Sequence, residues 1–220
     1  MKTPKLIIFD MDGTMLDTEP TSLEAMIHAG AEMGVEITRE MGESFMGKSV
    51  ARISDMLRTN FGEAFDVKRA FALHVKYMDE IFEKSGVPVK PGIYELLDKL
   101  DACGIRKCVA TSTGKERAMS KLASANIAHR FEVVVGGDEV ENGKPSPDIF
   151  LKAAAACNIA PHDCIVIEDT EAGILGASAA GIPVIAVPDI APLSEEIRGK
   201  AFAVCRDLFE VLGVLQLGAH

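Results

Sequence analysis

Leu6-Ile7-Ile8-Phe9-Asp10-Met11-Asp12-Gly13-Thr14 is the stretch on which the reading of this chain turns. Four successive apolar residues without polar alternation mark a strand buried on both faces, as in a parallel sheet. Two carboxylates one residue apart follow at its end. In open α/β sheets, binding groups gather beyond the carboxyl ends of the strands. Asp10 and Asp12 therefore fall where a site is expected. Gly13 permits a tight turn there, and Thr14 can hydrogen-bond within the loop. A close pair of loop carboxylates is, by itself, more often a solvated turn than a site, so the remainder of the chain carries the decision.

From Val89 onward, helical and strand patterns alternate. Ile93, Leu96, Leu97 and Leu100 form one amphipathic stripe, stopped by Gly104. Arg106 to Ala110 reads as a strand running into Thr111-Ser112-Thr113-Gly114. Met119, Leu122 and Ala123 mark the next helix. Phe131 to Val135 is a short strand ended by Gly136-Gly137. Ser146-Pro147-Asp148 opens a helix, with Ser146 as cap, Pro147 in the first turn and Asp148 complementing the dipole. Cys164 to Ile167 is a strand that ends in Glu168-Asp169. Thr170 caps a helix rich in Ala and Gly, suited to close packing on a sheet. Pro183 to Val187 is a further strand, and a helix near Asp207 to Leu215 closes the chain. Strands alternating with helices predict a doubly wound parallel sheet.

Residues from about Asp17 to Pro88 differ. Leu23, Met26, Ile27 and Gly30 make one helical stripe; Ile53, Met56 and Leu57 make another; Phe71, Val75, Met78 and Phe82 make a third. Gly42, Gly47, Gly62 and Gly86 punctuate them. The expected organisation is an α/β core of residues 1–17 and 89–220 with a helical insert of residues 18–88.

The chain has 220 residues, 48% hydrophobic and 25% charged, as in an ordinary globular protein. A net charge of −10 opposes non-specific nucleic-acid binding, which needs a basic surface. An anionic substrate would then need local positive charge from a metal or a few Lys and Arg. No apolar run approaches the roughly 20 residues that cross a bilayer, and the first strand begins too early for a signal peptide. Five Cys without a Cys-x-x-Cys pair suit a reducing compartment, so a cytoplasmic location is expected. The five His (28, 74, 129, 162 and 220) are scattered without zinc spacing and read as surface or helix-end residues.

Four strand ends thus carry polar groups: Asp10 and Asp12, Thr111 and Ser112, Lys144 beyond the Gly136-Gly137 turn, and Glu168 with Asp169. A parallel sheet gathers such ends on one edge. Each has a plainer reading. Lys144 before Pro145 is a common loop lysine, Thr111 a helix cap, and Glu168-Asp169 acids at a helix start.

In order, the set resembles the four motifs of the haloacid dehalogenase superfamily. Asp10-Met11-Asp12-Gly13-Thr14 resembles the first. Thr111 after Cys108-Val109-Ala110 resembles the second, Gly143-Lys144-Pro145 the third, and Val166-Ile167-Glu168-Asp169-Thr170 the fourth. The resemblance covers essentially the whole chain, including a helical cap inserted after the first motif. It implies a Rossmann-like core and a Mg²⁺-dependent phosphatase or phosphomutase. Asp10 would be the nucleophile, forming an aspartyl-phosphate, and Asp12 the general acid/base. Lys144 would neutralise the phosphoryl group, with Thr111 and the Ser112 N–H bonding its oxygens. Asp10, Asp169, Glu168 and the main-chain carbonyl of Asp12 would hold Mg²⁺.

Asp12 also narrows the branch. Dehalogenases of the superfamily lack a second Asp because a halide leaves without a proton, and its phosphonate hydrolases use a cap lysine instead. The Asp17-Thr18-Glu19-Pro20 hinge and the Met46-Gly47-Lys48-Ser49 turn resemble the branch of beta-phosphoglucomutase and the small sugar-phosphate phosphatases, with Lys48 a candidate substrate contact. The mutases carry a cap His near the place of Ser22 and an Arg near that of Val50, for which Lys48 and Arg52 are the candidate substitutes. The absence of that His and that Arg here favours a phosphatase over a mutase. The expected partner is a small phosphomonoester, with no nucleic acid or membrane, and the expected state is a monomer. A rival from another class is a phosphoryl-accepting receiver module; receivers resemble a domain of half this length without a helical insert.

Overall fold

The computed structural model describes residues 3–46, 48 and 50–216. They divide into two compact units, Thr18–Gly86 and the remainder. Strand β1 (Leu6–Phe9) leads into the smaller unit, which holds helices α1 (Glu19–Glu32), α2 (Arg39–Glu43), α3 (Val50–Phe61) and α4 (Val67–Ser85). The chain then continues through α5 (Ile93–Ala102), β2 (Arg106–Ala110), α6 (Lys115–Ser124), β3 (Val133–Val135), α7 (Asp148–Ala156) and β4 (Cys164–Glu168). It finishes with α8 (Glu171–Ala179), β5 (Val184–Ala186), α9 (Glu195–Arg198), β6 (Ala203–Val204) and α10 (Leu208–Val214). Among the described residues, no helix is long and apolar enough to cross a membrane.

The larger unit is a mixed α/β structure around one parallel sheet, as its alternating pattern predicts. The strand order is β3-β2-β1-β4-β5-β6, and every neighbouring pair is parallel. β1 is central, and all four of its residues are fully buried. Each such side chain contributes roughly 1.5–3 kcal/mol of burial. On one face, Leu6 and Ile8 join Phe150, Ala153 and Ile174 from α7 and α8. Strand order reverses across β1, since β2 lies on one side and β4 on the other. That reversal opens the crevice in which such sheets bind ligands.

The smaller unit is a helical bundle. α1 packs along α4, and Met26, Ile37, Phe45, Leu57, Val67 and Ala70 fill its centre. Gly42 was expected to punctuate this segment, but it lies inside α2, where a Cβ would stand 2.3 Å from Leu23 Cδ1. Gly47 and Ser49 of the expected turn, and His220, lie outside the described residues.

Some local expectations shift. Ser146 does not cap α7: its hydroxyl donates to Asp148 Oδ1 at 2.6 Å, and Pro147 holds the cap position. Thr170 does cap α8, accepting from the Gly173 N–H at 3.1 Å. The inward face of α6 is Ala118, Lys121 and Leu122, whereas Met119 is exposed. Strand β6 goes unannounced in the sequence because its two residues are only half-buried; the backbone bonds on either side of it, Phe202 N–H to Val184 O and Cys205 N–H to Ala186 O, align it.

Candidate active site

The sheet register brings the strand ends level. Phe9 pairs with Val109 on β2 and with Ile167 on β4. Asp10, which follows Phe9, donates its N–H to Ile167 O at 2.9 Å. Its side chain therefore leaves β1 beside Glu168. Thr111 follows β2 on the other side, where its N–H bonds Val135 O at 3.1 Å.

Lys144 bridges the neighbouring ends of β1 and β4. Its Nζ contacts Asp10 Oδ1 and lies 2.8 Å from Glu168 Oε1. All three side chains are buried: 5% exposed for Lys144, 9% for Asp10 and 1% for Glu168. Phe150 lies beneath the ammonium, its ring centroid 5.1 Å from Nζ. The second oxygen of Glu168 accepts from the Thr170 N–H at 2.6 Å and from the Thr170 hydroxyl at 2.9 Å. Gly173 makes room for this carboxylate, since a Cβ there would fall 1.7 Å from Glu168 Oε1. Asp169 accepts from the Thr14 hydroxyl at 2.5 Å. Gly13, at φ +86°, is the other close approach: a Cβ would lie 2.4 Å from Asp169 Oδ2.

Asp12 points to a different set of partners. Its Oδ2 accepts from the Thr113 hydroxyl at 2.8 Å, and its Oδ1 lies 2.6 Å from Lys121 Nζ. Thr111 is 2% exposed, and its Oγ1 accepts from the Thr113 N–H at 3.1 Å, leaving its own proton to donate. Ser112 is exposed at the rim.

Two carboxylates therefore share one ammonium, and Asp169 adds a third negative charge close by. Burial pushes the Asp10 carboxyl up to about 7; Glu168 and Asp12 add to the rise, and Lys144 opposes it. Burial, then Glu168 and Asp10, also hold Asp169 well above the usual carboxylate range. Burial works against the Lys144 ammonium, but Asp10 and Glu168 outweigh it and raise its pKa. The cluster is short of positive charge. Among the described residues, no three His, Cys, Asp or Glu side chains form a cage for a metal ion. The donors suit Mg²⁺ nonetheless, because that ion takes one or two carboxylates and keeps several waters. Asp10, Asp169 and the Asp12 carbonyl are hard oxygen donors of this kind.

In the helical unit, Ser22 Oγ and His74 Nε2 stand 3.0 Å apart. Both line a cavity of about 180 Å³ with Lys48, Glu19, Phe45 and Phe71. Lys48 is exposed.

Sequence reading brings Asp10, Lys144, Glu168 and Asp169 to attention but passes over Lys121, Thr113 and His74. A lysine at the inward i, i+3 place after Ala118 was the available signal for Lys121. His74 had none, since its partner is 52 residues away.

The family model of the haloacid dehalogenase-like hydrolases matches residues 7–187. The phosphorylated carbohydrates phosphatase of Thermotoga maritima is 33% identical over 181 residues, 80% of this chain and 81% of that protein. The fructose-1-phosphate phosphatase YqaB of Escherichia coli is 31% identical over 188 residues, 82% of this chain and 95% of that one. The crystal structure of CbbY from Rhodobacter sphaeroides in complex with phosphate matches with a TM-score of 0.81 at 26% identity, covering 96% of both chains.

Proposed function

From the premise that this chain belongs to the haloacid dehalogenase-like hydrolases and is a phosphoric monoester hydrolase, we propose that it dephosphorylates a small sugar phosphate through an aspartyl-phosphate. The observation that carries this reading is the buried contact of Asp10 with Lys144 at the central strand end, with Asp12 two residues on. The names of two similar proteins, a carbohydrate-phosphate phosphatase and a fructose-1-phosphate phosphatase, support the substrate class.

In this mechanism an Asp10 carboxylate oxygen attacks phosphorus, and the ester P–O bond breaks. Asp12 gives its proton to the departing alkoxide, a contribution of about 10²–10⁴-fold for a well-placed acid. A water then attacks phosphorus of the acyl phosphate and gives a proton to Asp12, the bond between Asp10 and phosphorus breaks, and inorganic phosphate leaves with the Asp10 carboxylate restored. Lys144 offsets phosphoryl charge, and the Thr111 hydroxyl and Ser112 N–H hydrogen-bond its oxygens. Glu168 holds Lys144 in place through its 2.8 Å contact, with Thr170 fixing its other oxygen. Members of the superfamily generally use a divalent metal. Here Asp10, Asp169 and the Asp12 carbonyl would hold Mg²⁺, which when bound supplies the positive charge that the cluster lacks.

The Ser22–His74 pair favours a second reading, a sugar-phosphate mutase. Ser22 stands where the mutases carry a histidine, and His74 reaches that hydroxyl from another helix.

The deciding experiment measures phosphate release from a panel of sugar phosphates and small monoesters, with and without Mg²⁺, for the native protein and Asp10→Asn. A coupled assay follows β-glucose 1-phosphate to glucose 6-phosphate, primed with the bisphosphate. Metal-dependent release that vanishes in the mutant is the expected result. Isomerisation with little release would establish the mutase instead, and neither activity across the panel would overturn the sugar-phosphate reading.

A further inference from the structure

Lys121 occupies a position where helix periodicity calls for an apolar side chain. It lies on the inward face of α6 between Ala118 and Leu122, and both of these are fully buried. Its own side chain is 8% exposed. A buried ammonium is costly unless it is paired. The Lys121 charge is spent on Asp12, at 2.6 Å from Oδ1.

The geometry points to Lys121 as a positioning residue that holds Asp12 in its working orientation. This rests on the reading of Asp12 as the acid/base. Asp12 follows β1 on a loop and is 27% exposed, so β1 alone does not fix its carboxylate. Lys121 pins one oxygen and the Thr113 hydroxyl, at 2.8 Å, holds the other. Each carboxylate oxygen has two acceptor sites. An anchor on an oxygen does not by itself block proton exchange at that oxygen's other site. The two anchors come from β2's following loop and from α6, elements outside the four motifs' acidic and Lys144 positions. A misplacement of about 1 Å in such a group is enough to cost about 10²-fold in rate.

The test uses two probes that differ in how much their leaving group needs a proton: benzyl phosphate, which releases an alkoxide, and 4-nitrophenyl phosphate, which releases a stabilised phenolate. kcat/KM reports steps through formation of the phosphoenzyme, so it isolates the acid role of Asp12. Lys121→Met keeps the volume and apolar packing of the helix face. It is expected to lower kcat/KM about tenfold or more for benzyl phosphate and by less than about threefold for 4-nitrophenyl phosphate. Lys121→Arg, which keeps the charge, restores much of the benzyl rate and serves as the folded control. Asp12→Ala shows the same selectivity more strongly, and adding Lys121→Met to it changes nothing further, as required of residues that act as one unit. Equal losses on both probes, or no loss, in Lys121→Met overturn the positioning role while leaving Asp12 intact. Equal losses in Asp12→Ala overturn the acid role and the proposal together. A fully additive double mutant assigns Lys121 to stability alone.

Discussion

His74, in the middle of α4, meets Ser22 in the first turn of α1, with 3.0 Å between Nε2 and Oγ. The pair gives the small cavity of the helical unit polar groups among its apolar lining of Leu23, Met26 and Phe71. Such a cavity suits a small hydroxylated group. His74→Ala and Lys48→Ala are expected to raise KM several-fold for a sugar phosphate and to leave KM for 4-nitrophenyl phosphate within about twofold. Equal effects on both substrates would remove the two residues from recognition.

Asp10→Asn should abolish turnover, by about 10³-fold or more, because an amide cannot form the acyl phosphate. Asp12→Ala should cost about 10²–10⁴-fold on an alkyl phosphate. Circular dichroism of both variants should match the native protein, since neither side chain fills the apolar core. Full activity in either variant would end the assigned mechanism.

Gly173 lies on α8 directly against Glu168. Gly173→Ala forces a methyl into the carboxylate, where an ideal Cβ would stand 1.7 Å from Oε1. Glu168 must move, and Lys144 loses its 2.8 Å anchor. We expect destabilisation of about 1–3 kcal/mol, the usual range for overpacking, together with a fall in kcat larger than that for Gly181→Ala in the turn after α8. A variant with native melting and native kcat would show that Glu168 does not hold Lys144 in a functional position.

The raised pKa of Asp10 has a consequence for stability in the metal-free protein. The folded state keeps its Asp10 proton up to about 7, whereas the ordinary value is 3.8. Between these values the folded state binds more protons than the unfolded chain, so stability falls as pH rises from about 4 through 7. The slope from this group approaches about 1.4 kcal/mol per pH unit. Asp169, raised for the same reason of burial, acts in the same direction. Lys144 stays charged throughout this window and leaves the slope alone. Melting temperatures in EDTA at pH 5 and 8 should differ less for Asp10→Asn than for the native protein. Mg²⁺ should recover stability mainly at pH 8, where the carboxylates are free to bind it. Identical pH slopes for the two proteins would contradict the burial argument.

Amino-acid order alone dictates the sheet and the acidic end of its central strand. An apolar run such as Leu6 to Phe9 has to be buried on both sides, and Asp10 is joined to it covalently. Repetition of that pattern with helices between Arg106 and Val187 left little choice beyond a parallel sheet. Thr170 was legible as a cap for a similar reason, because capping is local. The pairing partners were not legible. Lys121 meets Asp12 across 109 residues because the phase of α6 turns it inward, and the neighbouring Met119 looked the better core residue by composition. The Ser146 hydroxyl bonds the Asp148 carboxylate two residues on and does not cap the helix. His74 carries no local signal, and only the packing of α1 on α4 brings Ser22 to it. Local covalent order settles what a strand carries at its end; only packing decides which distant side chains neutralise it, because burial makes each unpaired charge too costly to leave alone.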